Sequence, residues 1–268
     1  LASFDINVQK WSIRPQRWPL GQKLQIGLLA DPHVCHPWSP LEFLQGAVEV
    51  LQARQPDLIL LLGDYEAHLP FSQNPAEAEV ANVLAKLSAP LGVYNVFGNH
   101  DWRRVRNDPD RYTKQTVWHN VFESADLRTL ENSSIDVVHG QTPITLAGLG
   151  SQMAFCRRFR RPVAGRDDLG QTLRQTDPDR FTILMAHEPD VFATLPKHVD
   201  LTVSGHTHGG QVLPFGRPMY VPSKFGTRFA YGAHKLDDRW LVVSRGLGYS
   251  GLPWRWGAPP EITMVELT

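Results

Sequence analysis

The sequence is short of the residues that staple, charge or anchor a chain. Its 268 residues include 2 cysteines, Cys35 and Cys156, too few for a disulfide framework or a thiolate zinc site. Neither sign of charge is in excess. Lys plus Arg number 27 against 27 Asp plus Glu, which argues against a broad nucleic-acid-binding surface or a polybasic membrane tether. The longest unbroken apolar run, Leu58 to Leu62, falls far short of the ~20 residues of a membrane span. No internal repeat, heptad pattern or low-complexity tract occurs, and no proline-rich linker divides the chain, so one domain over residues 1–268 is expected. An initiator methionine is also absent. A chain opening at Leu1 is expected to be a processed or truncated product, so any upstream signal or anchor would lie outside the sequence.

Alternation is what the sequence does have. Residues 1–21, with Trp11, Pro15, Trp18 and Pro19, show no helical period and read as an extended N-terminal arm. Leu24–Ala30 then reads as a buried strand. Ser39, Pro40 and Glu42 follow as an N-cap, a first-turn proline and a capping-box acid, ahead of Leu44, Ala47, Val48 and Leu51 at helical spacing. Leu58–Leu62 reads as a second strand, Ala76–Leu87 as a helix and Val93–Phe97 as a third strand. Tyr112–Ser124 is expected to be helical. Further strands are predicted at 135–138, 144–149, 181–186, 201–204, 240–244 and 262–267. β-α-β-α-β followed by a strand-rich half predicts a layered α/β domain with large mixed sheets.

Polar residues with chemical potential stand at the ends of five of these strands: Asp31-Pro-His33, Gly63-Asp64, Gly98-Asn99-His100-Asp101, His187 and Gly205-His206-Thr-His208. Open α/β sheets bind ligands outside the carboxyl ends of their strands. One shared site is therefore expected. Asp31, His33, Asp64, Asn99, His187, His206 and His208 make seven candidate metal ligands, too many for one ion. If the Asp64 carboxylate bridges, two ions receive four bonds each. Such a pair, about 3.5–4 Å apart, generates a hydroxide nucleophile and clamps an in-line displacement. A nitrogen and oxygen set without sulfur favours Mn, Fe, Zn or Co. Taken singly, each motif reads as a turn, a loop or a core histidine; their joint order at strand ends is what carries the metal reading.

These motifs, from Asp31 to His208, resemble the calcineurin-like metallophosphoesterase superfamily. His208-Gly-Gly-Gln211, Pro222-Ser-Lys-Phe-Gly226, Ser244-Arg-Gly-Leu-Gly-Tyr-Ser-Gly-Leu-Pro253 and Pro260–Leu267 resemble its bacterial YaeI- and YkuE-type phosphodiesterase branch. The resemblance implies a four-layer sandwich of two mixed β-sheets flanked by helices. It implies one metal on Asp31, His33, Asp64 and His208, and a second on Asp64, Asn99, His187 and His206. His100 would meet the substrate phosphate or protonate the leaving oxygen, with Asp101 orienting it. The implied reaction is hydrolysis of a phosphodiester or pyrophosphate bond by a metal-bridging hydroxide, on a nucleotide-type or lipid-linked, amphiphilic substrate. Phosphomonoester hydrolysis and a non-catalytic scaffold are the alternatives. Peripheral membrane contact, and an exported or membrane-associated bacterial protein rather than a cytoplasmic one, go with this reading.

Some stretches depart from the branch. Its usual Ser-Asp-Leu-His is Ala30-Asp31-Pro32-His33 here, which keeps the ligands and changes the stiffness of the loop. Phe155-Cys-Arg-Arg-Phe-Arg-Arg-Pro162 reads as a solvated basic loop, or alternatively as a lid whose arginines (Arg157, Arg158, Arg160 and Arg161) meet an anionic headgroup while Phe155 and Phe159 meet acyl chains. Arg103, Arg104 and Arg106 read as surface charge. His36 and His68 follow ligand-bearing loops and are the remaining histidines placed to approach a substrate. Trp254 and Trp256 are expected to pack in the core or at its rim, with lipid contact as the alternative.

Overall fold

The computed structural model describes residues 5–156, 165–174 and 176–268. Two six-stranded sheets organise them. The first contains β1 (Asn7–Ile13), β2 (Leu24–Leu29), β3 (Leu58–Leu61), β4 (Val93–Asn95), β5 (Arg128–Thr129) and the last strand, β12 (Glu261–Leu267), in the order β1-β12-β2-β3-β4-β5. The second contains β6 (Ser133–His139), β7 (Thr142–Leu149), β8 (Phe181–Ala186), β9 (Leu201–Ser204), β10 (Gly232–Leu236) and β11 (Arg239–Val243), in the order β10-β11-β9-β8-β7-β6. Both sheets are mixed: β2-β3-β4-β5 and β7-β8-β9-β11 run parallel, while β12 on β2, β6 on β7 and β10 on β11 are antiparallel.

Strand alternation explains the layers. In β3, Leu58 and Leu60 face the second sheet, while Ile59 and Leu61 face the helices. In β8, Phe181, Ile183 and Met185 fill the space between the sheets, and Leu184 and Ala186 turn to the opposite surface. Strands buried on both faces need near-continuous apolar sequence, which is why these runs do not alternate with polar residues. Helices α1 (Leu41–Gln52), α2 (Glu77–Leu84) and α3 (Val117–Ser124) cover the first sheet through Leu44, Val48, Leu51, Val80, Leu84 and Phe122. On the far side, α4 (Leu169–Leu173) and the 3-10 turn Pro189–Thr194 cover the second through Leu169, Leu173, Val191 and Phe192. The architecture is the four-layer sandwich that the motifs imply. Among the described residues no helix is long and apolar enough to cross a membrane.

Several local expectations shift. The stretch read as a free arm contains β1, the parallel edge partner of β12 from Asn7↔Glu261 to Ile13↔Leu267. The polar Asn7, Gln9, Lys10 and Ser12 in that strand hide it from a hydrophobicity pattern, as edge strands commonly do. Helix α1 is capped by Pro40, without a side-chain hydrogen bond, because the Ser39 hydroxyl donates instead to the Pro32 carbonyl at 2.9 Å. The helix expected from Tyr112 begins only at Val117, where Thr116 Oγ1 accepts the Trp118 N–H at 3.1 Å.

Candidate metal centre

The parallel strands β2, β3 and β4 of one sheet and β8 and β9 of the other end at a common edge, and their following loops are laced together. Asp31 N–H donates to the Gly63 carbonyl and His33 N–H to the Asp64 carbonyl, each at 3.0 Å, joining the loops after β2 and β3. Gly205 N–H donates to the His187 carbonyl at 3.0 Å, joining those after β8 and β9. His206 N–H bridges the sheets by donating to both Asp31 oxygens, at 2.9 and 3.0 Å. Holding these turns requires unusual backbone. Asp31, His33, Asp64, His206 and His208 sit at φ of 50°, 41°, 58°, 70° and 52°, in the left-handed region. Each such residue costs on the order of 1–3 kcal/mol, and clusters of them mark functional sites.

Their side chains converge on Asp64. Its Oδ2 lies 3.2 Å from His187 Nε2 and 3.5 Å from His33 Nε2. His33 Nε2 is 3.2 Å from His208 Nε2, which is 3.8 Å from Asp31 Oδ1. On the other side, His187 Nε2 is 3.2 Å from His206 Nδ1. Three groups result among the described residues: Asp31-His33-His208 and Asp64-His187-His206, linked by His33-Asp64-His100. Asn99 contributes a buried Oδ1 without a hydrogen-bond partner. Gly98 leaves the room for this convergence: a Cβ there would fall 2.2 Å from Asp64 Oδ1 and 2.6 Å from His187 Cε1.

Tautomers make the arrangement a ligand set rather than a hydrogen-bond network. His33 Nδ1 faces the Glu66 carbonyl at 3.0 Å, His187 Nδ1 the Leu62 carbonyl at 2.6 Å, and His206 Nε2 the Pro222 carbonyl at 3.1 Å. A carbonyl fixes the ring proton on the nitrogen that faces it, so the other nitrogen turns a lone pair inward. The buried Asp31 and Asp64 carboxylates among these rings repel each other unless a cation lies between them. Burial holds His33 and His206 below the usual histidine range, and burial together with Arg255 holds His208 well below it. All three are neutral donors. His187 goes the other way: burial opposes its charge, but Asp64 outweighs burial and holds the ring well above the ordinary value. Burial pushes the Asp31 carboxyl up to about 7, and repulsion from Asp64 adds to the push. The raised His187 and Asp31 values mark buried carboxylates short of positive charge, and the nitrogen and oxygen donors fit two divalent ions sharing Asp64.

All seven sequence-selected ligand candidates lie in these loops, and His100 lies beside them. Its N–H donates to Asp64 Oδ1 at 2.8 Å, its ring packs edge-on to His33 with centroids 4.7 Å apart, and its Nδ1 has no partner. Asp101 does not orient that ring. Its Oδ2 accepts the Gly98 and Asp64 N–H groups at 2.8 and 2.9 Å, and its Oδ1 accepts that of Tyr65 at 2.8 Å, so it clamps two ligand loops together. Two neighbours were underrated in the sequence. His68, four residues beyond Asp64 and flagged in the sequence only for its place after that loop, stacks on His100 with centroids 5.2 Å apart. Arg255 is half-buried, donates to the Gly248, Arg245 and Ala258 carbonyls, and places Nη2 2.9 Å from His208 Nδ1. Arg104 is engaged with Glu66 and Glu77, in keeping with a structural role. Phe155 is buried against Trp102 and Tyr112 rather than offered to acyl chains. The other lid residues, Arg157 to Arg161, lie outside the described residues.

Two packed sheets with a His/Asp cluster at their shared edge define a metallohydrolase. Residues 24–210 match the calcineurin-like phosphoesterase family, and the chain belongs to it. Such proteins typically bind a dimetal centre and hydrolyse phosphoric esters. An uncharacterized metallophosphoesterase of Bacillus subtilis, YkuE, is 32% identical over 242 residues, covering 89% of this chain and 77% of that one. An uncharacterized metallophosphoesterase of Aquifex aeolicus is 25% identical over 273 residues, 100% of this chain and 94% of that one. A zebrafish transmembrane protein with a metallophosphoesterase domain is 29% identical over 91% of this chain, which spans only 53% of it. Among solved structures, the NAD nucleotidase of Haemophilus influenzae shares the fold with a TM-score of 0.51 at 13% identity, over 84% of this chain and 45% of that one.

Proposed function

We propose that the chain is a dinuclear phosphoesterase that hydrolyses phosphodiester or pyrophosphate bonds. The observation that carries this reading is the convergence of the His33, His187, His206 and His208 rings on the buried Asp31 and Asp64 carboxylates, with His100 at the margin. Asp31, His33, Asp64 and His208 would hold one ion, and Asp64, Asn99, His187 and His206 the other. Divalent ions bound there supply Lewis acidity toward the phosphoryl oxygens and an activated water. The protein's own part is positional. His100 is fixed by its N–H on Asp64 and by rings on either side, leaving one ring nitrogen free to bond a phosphoryl or leaving oxygen. The preference for diesters and pyrophosphates over monoesters rests on the resemblance of the motifs to the YkuE-type branch. The zero net charge of the chain conceals a positive focus at this edge once the ions are counted.

The test is hydrolysis of bis-p-nitrophenyl phosphate and p-nitrophenyl phosphate after metal stripping and Mn restoration, with Asp64→Ala and His100→Ala alongside wild type. Expected are metal-dependent cleavage favouring the diester and loss of turnover in both variants. Full activity in Asp64→Ala would overturn the shared-ligand centre, and cleavage of the monoester alone would overturn the diester preference.

A further inference from the structure

We propose that the two loops carrying Phe215, Met219, Tyr220, Leu252, Trp254 and Trp256 form a lipid-contacting face that seats the chain on an anionic bilayer, with the metal-ligand cluster opening beside the headgroups. All six side chains are exposed, Phe215 to 99% and Trp254 and Trp256 to about 60%. Single exposed apolar residues are ordinary; six on two adjoining segments form a contact surface.

The segments are one unit. Trp256 N–H donates to the Gln211 carbonyl at 2.9 Å, Leu213 N–H to the Trp256 carbonyl at 2.8 Å, and Met219 N–H to the Val212 carbonyl at 3.1 Å. The Gln211 amide completes the link, donating to the Ser250 and Leu252 carbonyls at 3.1 and 2.9 Å and accepting the Ser250 N–H at 2.8 Å. Backbone and amide bonds fix the loops, so their large side chains are free to project. Phe215 stands at φ 54°, a left-handed conformation costly for a bulky residue, at the tip of its turn.

Charge selects the occupant. Between Gly209 and Leu236, and again between Trp240 and Pro260, there is no Asp or Glu, while Arg217, Lys224, Arg228, Lys235, Arg245 and Arg255 are present. Arg255 is turned inward to His208 and Arg245 pairs with Glu261, which leaves four bases and no acid in these stretches. Arg217, Lys224 and Arg228 are exposed. Asp190 reaches the first segment, but its carboxylate is used by the Ser223 hydroxyl and the Lys224 N–H. An apolar face rimmed by bases, rich in Trp and Tyr, matches the interface of an anionic membrane. A second copy fits worse, because a two-fold contact would set this basic face against itself.

The same loops are tied to the metal ligands. Pro222 of the first faces His206 Nε2, and Arg255 of the second faces His208 Nδ1, at 3.1 and 2.9 Å. A bilayer gripping this rim therefore lies next to the cluster, which suits a phosphate ester whose apolar part stays in lipid. The contact itself does not depend on the hydrolase reading.

Cosedimentation with vesicles of phosphatidylcholine containing phosphatidylglycerol, against phosphatidylcholine alone, tests it. Expected are binding to the anionic vesicles that weakens with salt, a blue shift of tryptophan emission, and a loss of binding of about tenfold or more in Trp254→Ser/Trp256→Ser and in Phe215→Ser. Far-ultraviolet circular dichroism and turnover of a soluble chromogenic ester are expected to stay at wild-type level in these variants. Wild type remaining in the supernatant with both vesicles would overturn the proposal. So would a dimer in sedimentation velocity that the tryptophan variants dissolve, since it would assign the face to a second copy.

Discussion

The Asp101 carboxylate reaches back across the cluster to accept the Asp64 N–H at 2.9 Å, while Asp64 Oδ1 accepts the His100 N–H at 2.8 Å. Each aspartate thus fixes the loop of the other. An amide at position 101 would turn a donor toward a backbone donor and cost one or more of these bonds, about 1–3 kcal/mol each. Asp101→Asn is therefore expected to lower metal affinity by about 10–100-fold. Calorimetric titration of the stripped protein with Mn reads this directly. Unchanged affinity would show that the Asp64 loop holds its shape without the clamp.

His68 is expected to act through His100. Burial, then Arg103, pushes its ring down to about 4, so it packs on His100 as a neutral plane. Removing the plane in His68→Ala frees the His100 ring to rotate, while His68→Phe keeps a stack. The expected order of kcat is wild type, then His68→Phe, then His68→Ala, the last reduced by about tenfold. His100→Ala falls further, by about 10²–10⁴ as for loss of an acid–base group. Equal activity in the Phe and Ala variants would refute the positional role.

The strands that position the site were the readable part of the fold. β2, β3, β8 and β9 are short, doubly buried and almost wholly apolar, so composition reveals them. Their chemistry was equally legible because all seven ligand candidates follow strand ends in sequence. What stayed hidden is set by tertiary contact. β1 is polar and paired only with β12 at the far end of the chain, and β5 is two residues long. Arg255 lies far along the chain from His208, and only folding places their side chains in contact. Asp101, adjacent to His100, looked like its partner; spatially its carboxylate accepts from four backbone N–H groups, those of Asp64, Tyr65, Glu66 and Gly98.

Gly98 permits the closest approach in the centre. A methyl group there would overlap both Asp64 and His187, and neither can retreat because each is held in the core. Gly98→Ala is expected to disable the centre while leaving the sheets intact. Metal content by elemental analysis after desalting should drop, with circular dichroism unchanged. Full occupancy in this variant would show that the loops yield more easily than their strained backbone suggests.

Chelation is expected to destabilise the fold. The buried Asp31 and Asp64 carboxylates repel without a cation, and ions that bind only the native state add stability as RT ln(1 + [L]/Kd). At one hundred times Kd that is about 2.7 kcal/mol, or roughly 5–10 °C in melting temperature for a chain of this size. Thermal melts with EDTA and with Mn or Zn measure the shift. Identical melts would contradict a built metal centre.

Asp200 offers a pH test away from the centre. It accepts the Thr182 N–H at 2.8 Å, with Arg17 3.4 Å away. Burial lifts its carboxyl to about 6, although Thr182 and Arg17 both pull it down. In the unfolded chain an aspartate titrates near about 3.9, so between these values the native state holds more of the proton. The contribution of Asp200 to stability is thus fully present below pH ~4 and lost as pH rises through ~6. Asp200→Asn keeps an oxygen for Thr182 and has no proton to release. Relative to wild type, the variant should gain up to about 3 kcal/mol between acid and neutral pH, less to the extent that solvent reaches Arg17. Urea unfolding of both proteins in chelator at about pH 4 and pH 7.5 gives the difference, with metal effects cancelling. A difference that stays flat, or that shifts toward the wild type as pH rises, would show that Asp200 is ionised throughout and that Arg17 outweighs its burial.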